Sequence, residues 1–366
     1  MKYFAKLGLK EIINASGKMT MLGASAVSNE IAQSMKCAVQ EYVNMDEIME
    51  YTGSIIAKHT GAEDGCPTIG AASGIVISVA ALICGKVGSK IETIPHVTDG
   101  RNQIIVQKGH SINFGASINQ MITIGGGKVV EVGNANKVES YQIEGAITEN
   151  TIGLLYVKSH HTVQKGMVSL EEMIGISKKY NIPLICDAAA EEDFKKYIKL
   201  GCDVVIYSGG KALEGATSGL IAGKKEIMEA CRMQYKGVGR AMKVSKEQMA
   251  SLITAFETYD EKASTSQLQK ERMGTICKML NKKHGLECSV IQDEAGRDIY
   301  RAQIKVLQEC KLNAEQISRK LKEGNPSIYL RDYYSNVGIL QVDARPLFEG
   351  QELIIATTIE KLVSGG

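Results

Sequence analysis

Two strand-like segments in the middle of the chain each lead into a residue that can do chemistry. The apolar run Pro183–Cys186 is followed by Asp187, and Asp203–Tyr207 is followed by Ser208-Gly-Gly-Lys211. Because neighbouring parallel strands end at the same edge of a sheet, we expect Asp187 and Lys211 in one crevice. A carboxylate there can hold a protonated pyridine nitrogen. A lysine whose pKa is lowered by desolvation or by nearby cations can form a Schiff base.

Small residues around this pair leave room for a flat ligand. Ala189 lets a ring lie against the backbone, and the two glycines before Lys211 allow a tight turn and the close approach of a ligand. Taken singly, Asp187 could be a helix N-cap and Lys211 a surface lysine in a loop. Their order, their spacing and their strand context together favour the functional interpretation.

The elements around these residues alternate between strand and helix. The Leu170–Ile176 segment has helical spacing between two apolar runs, and such alternation predicts a mostly parallel sheet that is covered on both faces. The strand-like runs of this region are Gln103–Val106, Lys128–Val132, Ile152–Val157, Pro183–Cys186, Asp203–Tyr207 and Gly219–Ala222.

A second region begins near Val244 and has a different pattern. A long helical pattern runs from Ser245 to about Lys283, and four strand-like and two helical segments follow it, which suits a smaller α+β domain. We therefore predict an N-terminal arm over residues 1–44, a large domain over 45–245, and a bridging helix with a small C-terminal domain over 246–366. The later segments are Ser289–Ile291, Arg301–Val306, Ser327–Leu330 and Val337–Val342 as strands, and Ala314–Glu323 and Gln351–Leu362 as helices.

Composition limits the partners of the 366-residue chain. Lys and Arg total 43 and Asp and Glu total 41, so no strong net field attracts nucleic acid. No apolar run approaches the roughly 20 residues that span a bilayer. The nine cysteines form no C-x-x-C pair, which is typical of buried thiols in a reducing compartment, and no residues have metal-ligand spacing. We expect a soluble cytoplasmic protein that binds no nucleic acid and no membrane and has no metal site of its own, and whether a metal or monovalent cation assists stays open.

The pairing of Asp187 with Lys211 resembles the active site of the fold-type I enzymes that use pyridoxal 5'-phosphate (PLP), the aspartate aminotransferase superfamily. The resemblance implies an α/β fold with a mostly parallel sheet in the large domain. It also implies that PLP is the cofactor, that Lys211 carries it, that Asp187 holds its ring nitrogen, and that Ala189 lies beside the ring.

Other positions agree with this resemblance. The turn Gly70–Gly74 precedes the apolar helix Ile75–Cys84, and in this superfamily such a turn holds the cofactor phosphate on backbone N–H groups and the helix dipole. The resemblance assigns the phosphate to Ala72, Ser73, Gly74 and Ser208.

Polar residues after two further strands complete the implied site. His110 lies where a ring often stacks on the cofactor in this superfamily, although a core histidine is the alternative. Ser159 and His160 fall where such enzymes contact the cofactor's 3-hydroxyl group.

The resemblance narrows to the selenocysteine synthase-like group. The segments Asn14–Gly17, Gly239–Lys246 and Leu340–Arg345 are similar to that group. Two features differ from the synthase itself: Ala24 replaces an arginine in an L-G-R pattern, and we expect the extra N-terminal tRNA domain of the synthase to be missing. Two segments resemble instead the shorter D-glucosaminate-6-phosphate ammonia-lyases, namely Ser159–Thr162 and Asp187–Glu192.

This group resemblance implies a lyase reaction. A phosphorylated amino sugar acid, D-glucosaminate 6-phosphate, would lose water by α,β-elimination and then ammonia, giving 2-keto-3-deoxygluconate 6-phosphate. Lys211 would take the α-proton, and either Lys211 or a nearby histidine, His160 or His161, would protonate the leaving hydroxyl. The substrate anions need cationic partners; the candidates are Arg240 and Lys243, followed by Arg331 and Arg345. A homodimer or a larger homo-oligomer is expected from the resemblance.

Three alternatives stay open at this point. The chain could be a selenium or sulfur transferase or another PLP lyase. It could be a non-catalytic binding or regulatory protein, although a degenerate copy has no chemical reason to keep Asp187, Lys211 and Ser208. A nucleotide-binding protein is disfavoured, since neither a G-x-x-x-x-G-K-[ST] motif nor a Rossmann pattern occurs.

Overall fold

In a computed structural model the chain forms two compact units. The larger is Ala26–Tyr259, and the smaller combines Met1–Ser25 with Asp260–Gly366. The structure describes residues 3–98, 100–159, 161–259, 265–293 and 296–365. His160, which is predicted to be catalytic, lies outside the described residues.

The elements alternate through the larger unit as the sequence pattern predicts. The strands are β1 (Ile12–Ala15), β2 (Asp64–Thr68), β3 (Gln103–Gln107), β4 (Lys128–Val132), β5 (Thr151–Val157), β6 (Leu184–Asp187), β7 (Val204–Ser208), β8 (Gly219–Gly223), β9 (Leu286–Gln292), β10 (Tyr300–Val306), β11 (Ser327–Leu330) and β12 (Ile339–Asp343). The helices are α1 (Tyr3–Lys6), α2 (Asn29–Gln40), α3 (Met45–Thr60), α4 (Ala71–Cys84), α5 (Gly88–Ile91), α6 (Ile118–Ile124), α7 (Ser140–Ala146), α8 (Leu170–Tyr180), α9 (Lys196–Leu200), α10 (Lys225–Met233), α11 (Lys246–Glu257), α12 (Ser266–Leu280), α13 (Ala314–Glu323) and α14 (Gln351–Ser364).

The larger unit is built on a seven-stranded sheet in the order β2-β8-β7-β6-β5-β3-β4. Strand β8 runs antiparallel to both of its neighbours, and the pairs from β7 to β4 are all parallel. The predicted mostly parallel sheet is confirmed. Its parallel strands carry their carboxyl ends to one edge, where ligands bind in sheets of this kind.

The two faces of this sheet are covered by different sets of apolar residues. Leu154, Tyr156 and Cys186 belong to one core, whereas Val157 and Ile206 belong to a second core that includes residues of α4. Side chains alternate between faces along a strand, and Asp187 pairs in register with Val157 and Ile206. Asp187 therefore lies on the face of the sheet that α4 covers.

Strand β2 occupies the edge of the sheet and has no strand signal in its sequence. Its residues Asp64–Thr68 include Gly65 and Pro67, and it pairs only with β8. Proline cannot donate a ladder hydrogen bond and is tolerated at sheet edges. The edge position explains how this segment is a strand despite its composition.

The smaller unit has a three-stranded antiparallel sheet in the order β12-β10-β9, with α12, α13 and α14 contributing to its core. Strand β1, near the start of the chain, pairs in parallel with β11, so Ile13 lies beside Ile328. Ile13 and Ala15 are completely buried in the same core. This unit therefore contains residues from both ends of the sequence.

The helical pattern predicted over 245–283 forms two helices, α11 and α12, with Thr258, Tyr259 and Thr265 outside them. Helix α2, in the segment predicted as an arm, packs within the larger unit against α11. Among the helices that the structure describes, none is both long and apolar enough to cross a membrane.

Candidate active site

Asp187 is the last residue of β6 and is only 7% exposed. Its Oδ1 atom accepts a hydrogen bond from the backbone N–H of Ala189 at 3.1 Å. Burial raises the pKa of Asp187 to about 6, and the charge of Lys211 and the Ala189 hydrogen bond oppose this rise. A buried carboxylate of this kind is most stable when a cation lies against it.

Lys211 follows β7 in a tight turn that begins at Ser208. The N–H of Lys211 points to the carbonyl of Ser208 at 3.4 Å, and the N–H of Ser208 donates to the carbonyl of Ala189 at 3.2 Å. Ser208 is two residues after Ile206, so its side chain is on the same face of the sheet as Asp187. The structure thus brings Asp187, Ala189, Ser208 and Lys211 together at the carboxyl edge.

Glycines allow the turns at this edge to pack closely. A Cβ atom at Gly209 would overlap the Oγ atom of Ser218, and one at Gly219 would overlap the backbone of Gly70 and Ala71. Gly209 is therefore required by the close approach of Ser218 within the protein, whereas the predicted close approach of a ligand stays a prediction. Gly219 is a residue that the sequence analysis missed. Its signal was a glycine at the first position of a strand.

The N-terminus of α4 lies on the same face of the sheet as Asp187. A Cβ atom at Gly74 would come within 2.8 Å of Cγ2 of Ile206, the register neighbour of Asp187, so glycine lets the helix pack close to β7. The first backbone hydrogen bond of the helix runs from Gly74 N–H to the carbonyl of Gly70, at 3.0 Å. The N–H groups of Ala71, Ala72 and Ser73 precede it and point out of the helix end, where the helix dipole favours an anion.

The hydroxyl group of Ser73 is used within its own turn. It donates to the carbonyl of Gly70 at 2.6 Å and accepts from the N–H of Gly70 at 3.1 Å. This double contact fixes the turn that presents the helix N-terminus. In the structure the helix end therefore offers an anion mainly backbone N–H groups.

His110 is completely buried beside the end of β5. Its Nδ1 atom accepts a hydrogen bond from the N–H of Val157 at 3.2 Å, and its ring packs edge-on against Tyr156 with centroids 4.5 Å apart. Burial, together with the charge of Lys158, lowers the pKa of His110 to about 4, so the imidazole is neutral at pH 7. Its Nε2 atom has no hydrogen-bond partner in the part of the chain that the structure describes. Tyr156 is on the opposite face of the sheet from Asp187, so the ring contact of His110 is with a residue of that opposite face.

Ser159 lies two residues beyond β5 and shapes the following turn. Its Oγ atom accepts from the N–H of His161 at 3.2 Å, and its carbonyl accepts from the hydroxyl of Thr162 at 2.7 Å. The turn therefore starts at the same carboxyl edge as Asp187, because β5 and β6 are parallel neighbours.

Arg240 and Lys243 are exposed cations in the larger unit. Arg240 lies in the 3-10 segment Val238–Met242, and Lys243 follows it directly before α11. Neither side chain forms a salt bridge to a described carboxylate. Both are therefore open to an anionic ligand.

Arg331 and Arg345 belong to the smaller unit, and their surroundings differ. The guanidinium of Arg345 donates to both oxygens of Asp343, at 3.0 and 2.9 Å, so its charge is neutralised inside the protein. Arg331 has only a 3.4 Å contact to Oε1 of Gln341 and lies over the ring of Tyr333. Burial and the neighbouring charge of Arg301 lower the pKa of Arg331. Of the two, Arg331 is the cation without a carboxylate partner among the described residues.

Arg301 is a second arginine that pairs with Asp343, beside Arg345. It is buried between Asp293 and Asp343, to which it donates at 2.6 and 2.9 Å. Its Nη2 atom has no hydrogen-bond partner in the described ranges. Arg301, Arg345 and the two aspartates therefore form an ion-pair network that stabilises the smaller unit.

These features of the larger unit fit PLP. Asp187 provides a buried carboxylate, beside Lys211, that is suited to a protonated ring nitrogen, and the N-terminus of α4 provides N–H groups suited to a phosphate. Across the described ranges, no group of three or more His, Cys, Asp or Glu residues converges as a metal site would.

Comparisons with known proteins agree with this geometry. The family model described as SelA, L-seryl-tRNA selenium transferase, matches residues 12–327. The chain is 39% identical to the D-glucosaminate-6-phosphate ammonia lyase of Salmonella typhimurium over 98% of this chain and 97% of that protein. It is 38% identical to the 5'-C-glycyluridine monooxygenase-decarboxylase of a Streptomyces species over 99% of this chain and 92% of that protein.

Solved structures indicate the same relative and the same fold. A structure of D-glucosaminate-6-phosphate ammonia-lyase superposes with a TM-score of 0.93 at 39% identity, covering 100% of this chain and 98% of the other. The alanine aminotransferase of Pyrococcus furiosus shares the fold, with a TM-score of 0.55 at 16% identity over 99% of this chain and 94% of that one. The predicted aspartate aminotransferase-like fold and the predicted PLP cofactor are confirmed. The chain is an enzyme that belongs to the L-seryl-tRNA selenium transferase family of PLP-dependent proteins.

Proposed function

We propose that this enzyme is an ammonia-lyase that converts D-glucosaminate 6-phosphate to 2-keto-3-deoxygluconate 6-phosphate and ammonia. One observation carries the proposal: the buried carboxylate of Asp187 lies beside Lys211 in a chain that matches the Salmonella ammonia lyase almost from end to end. The solved ammonia-lyase structure, with its TM-score of 0.93, supports the same choice.

A second candidate function follows from the Streptomyces relative, which is 38% identical. Its name describes an oxygen-using decarboxylation, which is a different reaction class. The two relatives differ little in identity, so sequence identity alone does not choose between them. Coverage favours the lyase, because this chain spans 97% of that relative and 92% of the other.

PLP, when bound, supplies an aldehyde that condenses with amines and a protonated ring that withdraws electrons from the substrate. Asp187 would hold the ring nitrogen, and its negative charge would keep that nitrogen protonated. Lys211 would hold the aldehyde carbon. The N–H groups at the start of α4, with the hydroxyl of Ser208, would hold the phosphate.

Lys211 would also move protons for the substrate. Its amine, once free, would take the proton from C2, and the C3 hydroxyl would leave as water after receiving a proton. Hydrolysis of the released product returns one water, so the net change is the loss of ammonia. General acid–base help of this kind is usually worth about 10²–10⁴-fold. His161 is the described histidine in the turn after β5, and we propose it, or His160, as the proton donor.

We propose that cations bind the two anionic groups of the substrate. Arg240 and Lys243 are exposed and form no salt bridge to a carboxylate among the described residues, which supports a role for them in binding the phosphate or the carboxylate of the substrate. In the smaller unit, Arg331 is the better candidate than Arg345, because Asp343 already neutralises Arg345. An Arg240→Ala variant with unchanged KM and kcat would remove Arg240 from this proposal.

We further propose a cytoplasmic homodimer or larger homo-oligomer that binds no nucleic acid. Apolar side chains are exposed around the end of α2 and the start of α3, including Val39, Tyr42 and Met45, which supports burial against a second copy. All nine cysteines are free thiols, which suits a reducing compartment. Light scattering on the purified protein would test the assembly.

Substrate turnover tests the proposed function. The protein loaded with PLP should release equal amounts of ammonia and keto acid from D-glucosaminate 6-phosphate, without consuming oxygen and without a need for tRNA. The unphosphorylated acid is the control for phosphate recognition. Oxygen uptake with a glycyl nucleoside, in the absence of lyase activity, would favour the second candidate.

A further inference from the structure

The loop that carries Lys211 is held by helix α11. The loop runs from Gly209 to Ser218 between β7 and β8, and it closes at its neck through a 2.9 Å hydrogen bond from Gly209 N–H to the Ser218 carbonyl. Two side chains of α11 contact its far part. Oγ of Ser251 accepts from the N–H of Ala216 at 2.9 Å, and Nε2 of Gln248 donates to the carbonyl of Thr217 at 3.0 Å.

Ser251 and Gln248 are three residues apart and so share one face of the helix. Ser251 is completely buried, so its hydroxyl satisfies a backbone N–H of the loop inside the protein. Without that acceptor the N–H group of Ala216 would be unsatisfied, which is unfavourable. Leu252, next in sequence, would contact a Cβ atom at Gly209 at 3.1 Å, so α11 also packs on the neck of the loop.

Gln248 also fixes the start of α11. Its Oε1 atom accepts from the N–H of Ser245 at 2.9 Å, and Oγ of Ser245 accepts from the N–H of Gln248 at 3.4 Å, which is a capping box. Arg240 and Lys243 lie directly before Ser245. The side chain of Gln248 therefore connects the Lys211 loop to Ser245. Ser245 follows the segment that carries Arg240 and Lys243, the two proposed anion-binding residues.

The loop itself has a backbone conformation that needs external support. Glu214 has a φ angle of 55°, in the left-handed region that residues other than glycine rarely adopt. Its N–H points to the carbonyl of Lys211 at 3.1 Å, so the strained residue lies in the turn that follows the lysine. Strained residues of this kind persist when surrounding contacts hold them.

We propose that Gln248 and Ser251 are positioning residues that hold the Lys211 loop in the conformation in which the lysine faces Asp187. The inference rests on the proposed function only in taking Lys211 as the lysine that binds PLP. The two residues act through the backbone of the loop, at Ala216 and Thr217.

The variant Gln248→Glu separates the two roles of this side chain. A glutamate keeps the acceptor for Ser245 N–H, since glutamate is a normal partner in a capping box, but it offers no donor to the Thr217 carbonyl. Gln316→Glu is the matched control. Gln316 accepts from Asn313 N–H at 3.0 Å in the capping box of α13, in the smaller unit, so the chemical change is the same without the loop contact.

The readouts are the PLP dissociation constant, the pH midpoint of the visible chromophore of the lysine-linked cofactor, and thermal unfolding of the apoprotein. Gln248→Glu should unfold within about 2 °C of Gln316→Glu but bind PLP about ten-fold more weakly, with a shifted chromophore midpoint and a lower kcat at similar KM. A merely structural role of Gln248 would change unfolding and leave the chromophore midpoint as in wild type.

Ser251→Ala is the second variant, and it should weaken PLP binding by at least as much, because it removes the acceptor for the half-buried N–H group of Ala216. Wild-type PLP affinity and chromophore midpoint in a folded Gln248→Glu protein would overturn the proposal for Gln248, and the same result in Ser251→Ala would overturn it for Ser251. If wild type itself forms no lysine-linked chromophore, the proposed function fails instead, so the two failures are distinguishable.

Discussion

Two buried aspartates of this molecule share a local geometry and differ in their surroundings. Asp187 ends β6 and Asp343 ends β12, and in each the Oδ1 atom accepts from the backbone N–H two residues later at 3.1 Å. Burial would raise the pKa of both. At Asp343 the charges and hydrogen bonds of Arg345 and Arg301 outweigh burial and hold the pKa well below its usual range. At Asp187, burial prevails and raises the pKa to about 6.

The difference distinguishes a carboxylate that two guanidinium groups neutralise within the protein from one that accepts a single backbone hydrogen bond beside a lysine. Asp343 has two guanidinium groups and is completely buried, so it stabilises the smaller unit. Among the described residues, Asp187 has one backbone N–H donor and the charge of Lys211. Buried carboxylates with perturbed pKa values often mark functional sites, and the raised pKa of Asp187 is consistent with the proposed role in PLP binding.

Removing the cation that faces Asp187 should have the largest effect on activity. We expect Lys211→Ala to lower kcat by at least roughly 10⁴-fold, because the variant loses both the covalent anchor of the cofactor and the amine that moves the substrate proton. The visible band that borohydride removes in wild type should be missing. A variant that retains the band would show that another lysine carries PLP.

Neutralising Asp187 should separate catalysis from stability. Asp187→Asn should lower kcat roughly 100- to 1000-fold, because the cofactor ring loses the charge that keeps its nitrogen protonated. The apoprotein should be no less stable than wild type at pH 8, since the variant removes a desolvated charge. Steady-state kinetics and urea unfolding of the apoprotein measure the two effects. A clear loss of apoprotein stability would place Asp187 with Asp343 as a structural residue.

The same substitution at the second aspartate should give the opposite result. Asp343→Asn leaves the buried Arg301 and the partly buried Arg345 without their shared counter-charge, and breaking a buried pair costs about 3–5 kcal/mol. We expect the apoprotein to lose roughly that much unfolding free energy. Circular dichroism during urea titration is the measurement. Equal stability of Asp343→Asn and wild type would contradict the comparison.

The two aspartates should also give pH dependences of opposite sign. Between the ordinary Asp pKa of 3.8 and about 6, folded Asp187 holds a proton that the unfolded chain has released, so its contribution to stability falls as pH rises. The change amounts to about 3 kcal/mol at 1.36 kcal/mol per pKa unit. Asp343, with its lowered pKa, contributes stability above pH 3.8 that is lost as pH falls further.

His110 titrates in an overlapping range, so a difference measurement is needed. Its pKa is lowered from 6.5 to about 4, so its contribution to stability rises with pH over that window, opposite in sign to that of Asp187. Unfolding of the wild-type and Asp187→Asn apoproteins should be compared at each pH from 4 to 8. The stability advantage of the variant should grow with pH up to about 6 and then stay constant. A constant difference would rule out the raised pKa.

The smallest expected effect compares two arginines near Asp343. Arg345→Ala should cost about 2 kcal/mol, since it removes two charge-assisted hydrogen bonds to a buried carboxylate. Arg331→Ala should change stability by less than about 1 kcal/mol and raise KM. Unfolding and kinetics of the two variants test this. A KM increase confined to Arg345→Ala would reverse the proposed assignment.

The sequence predicts the large sheet and the chemical pair because both depend on local pattern. The runs that lead into Asp187 and Ser208 are continuous apolar segments. This pattern predicts strands whose two faces are both buried, as in a parallel sheet covered by helices. The helices over Ala314–Glu323 and Gln351–Ser364 follow from amphipathic spacing in the same way. Strand β2 could not be predicted in this way, because Pro67 argues against a strand and is tolerated only because β2 lies at the edge of the sheet.

Features that depend on distant partners could not be predicted. The pairing of β1 with β11 joins residues more than 300 positions apart, and nothing near Ile13 indicates it. Whether Arg345 binds substrate or Asp343 depends on the bend after β12. Likewise, the hydrogen bond from Gln248 to the Thr217 carbonyl depends on how α11 packs within the larger unit, and nothing near Gln248 in the sequence indicates it.

The smaller unit combines segments from both ends of the sequence, and this has a consequence for folding during synthesis. Ribosomes synthesise Ile13 and Ala15 more than 300 residues before their neighbours in β11, so these buried side chains leave the exit tunnel long before their core exists. The larger unit is continuous in sequence and can fold first, whereas the smaller one waits for the last helices. Nascent chains should therefore keep β1 exposed at least until β11 has been synthesised, and chaperones that bind extended apolar segments would meet it during that interval.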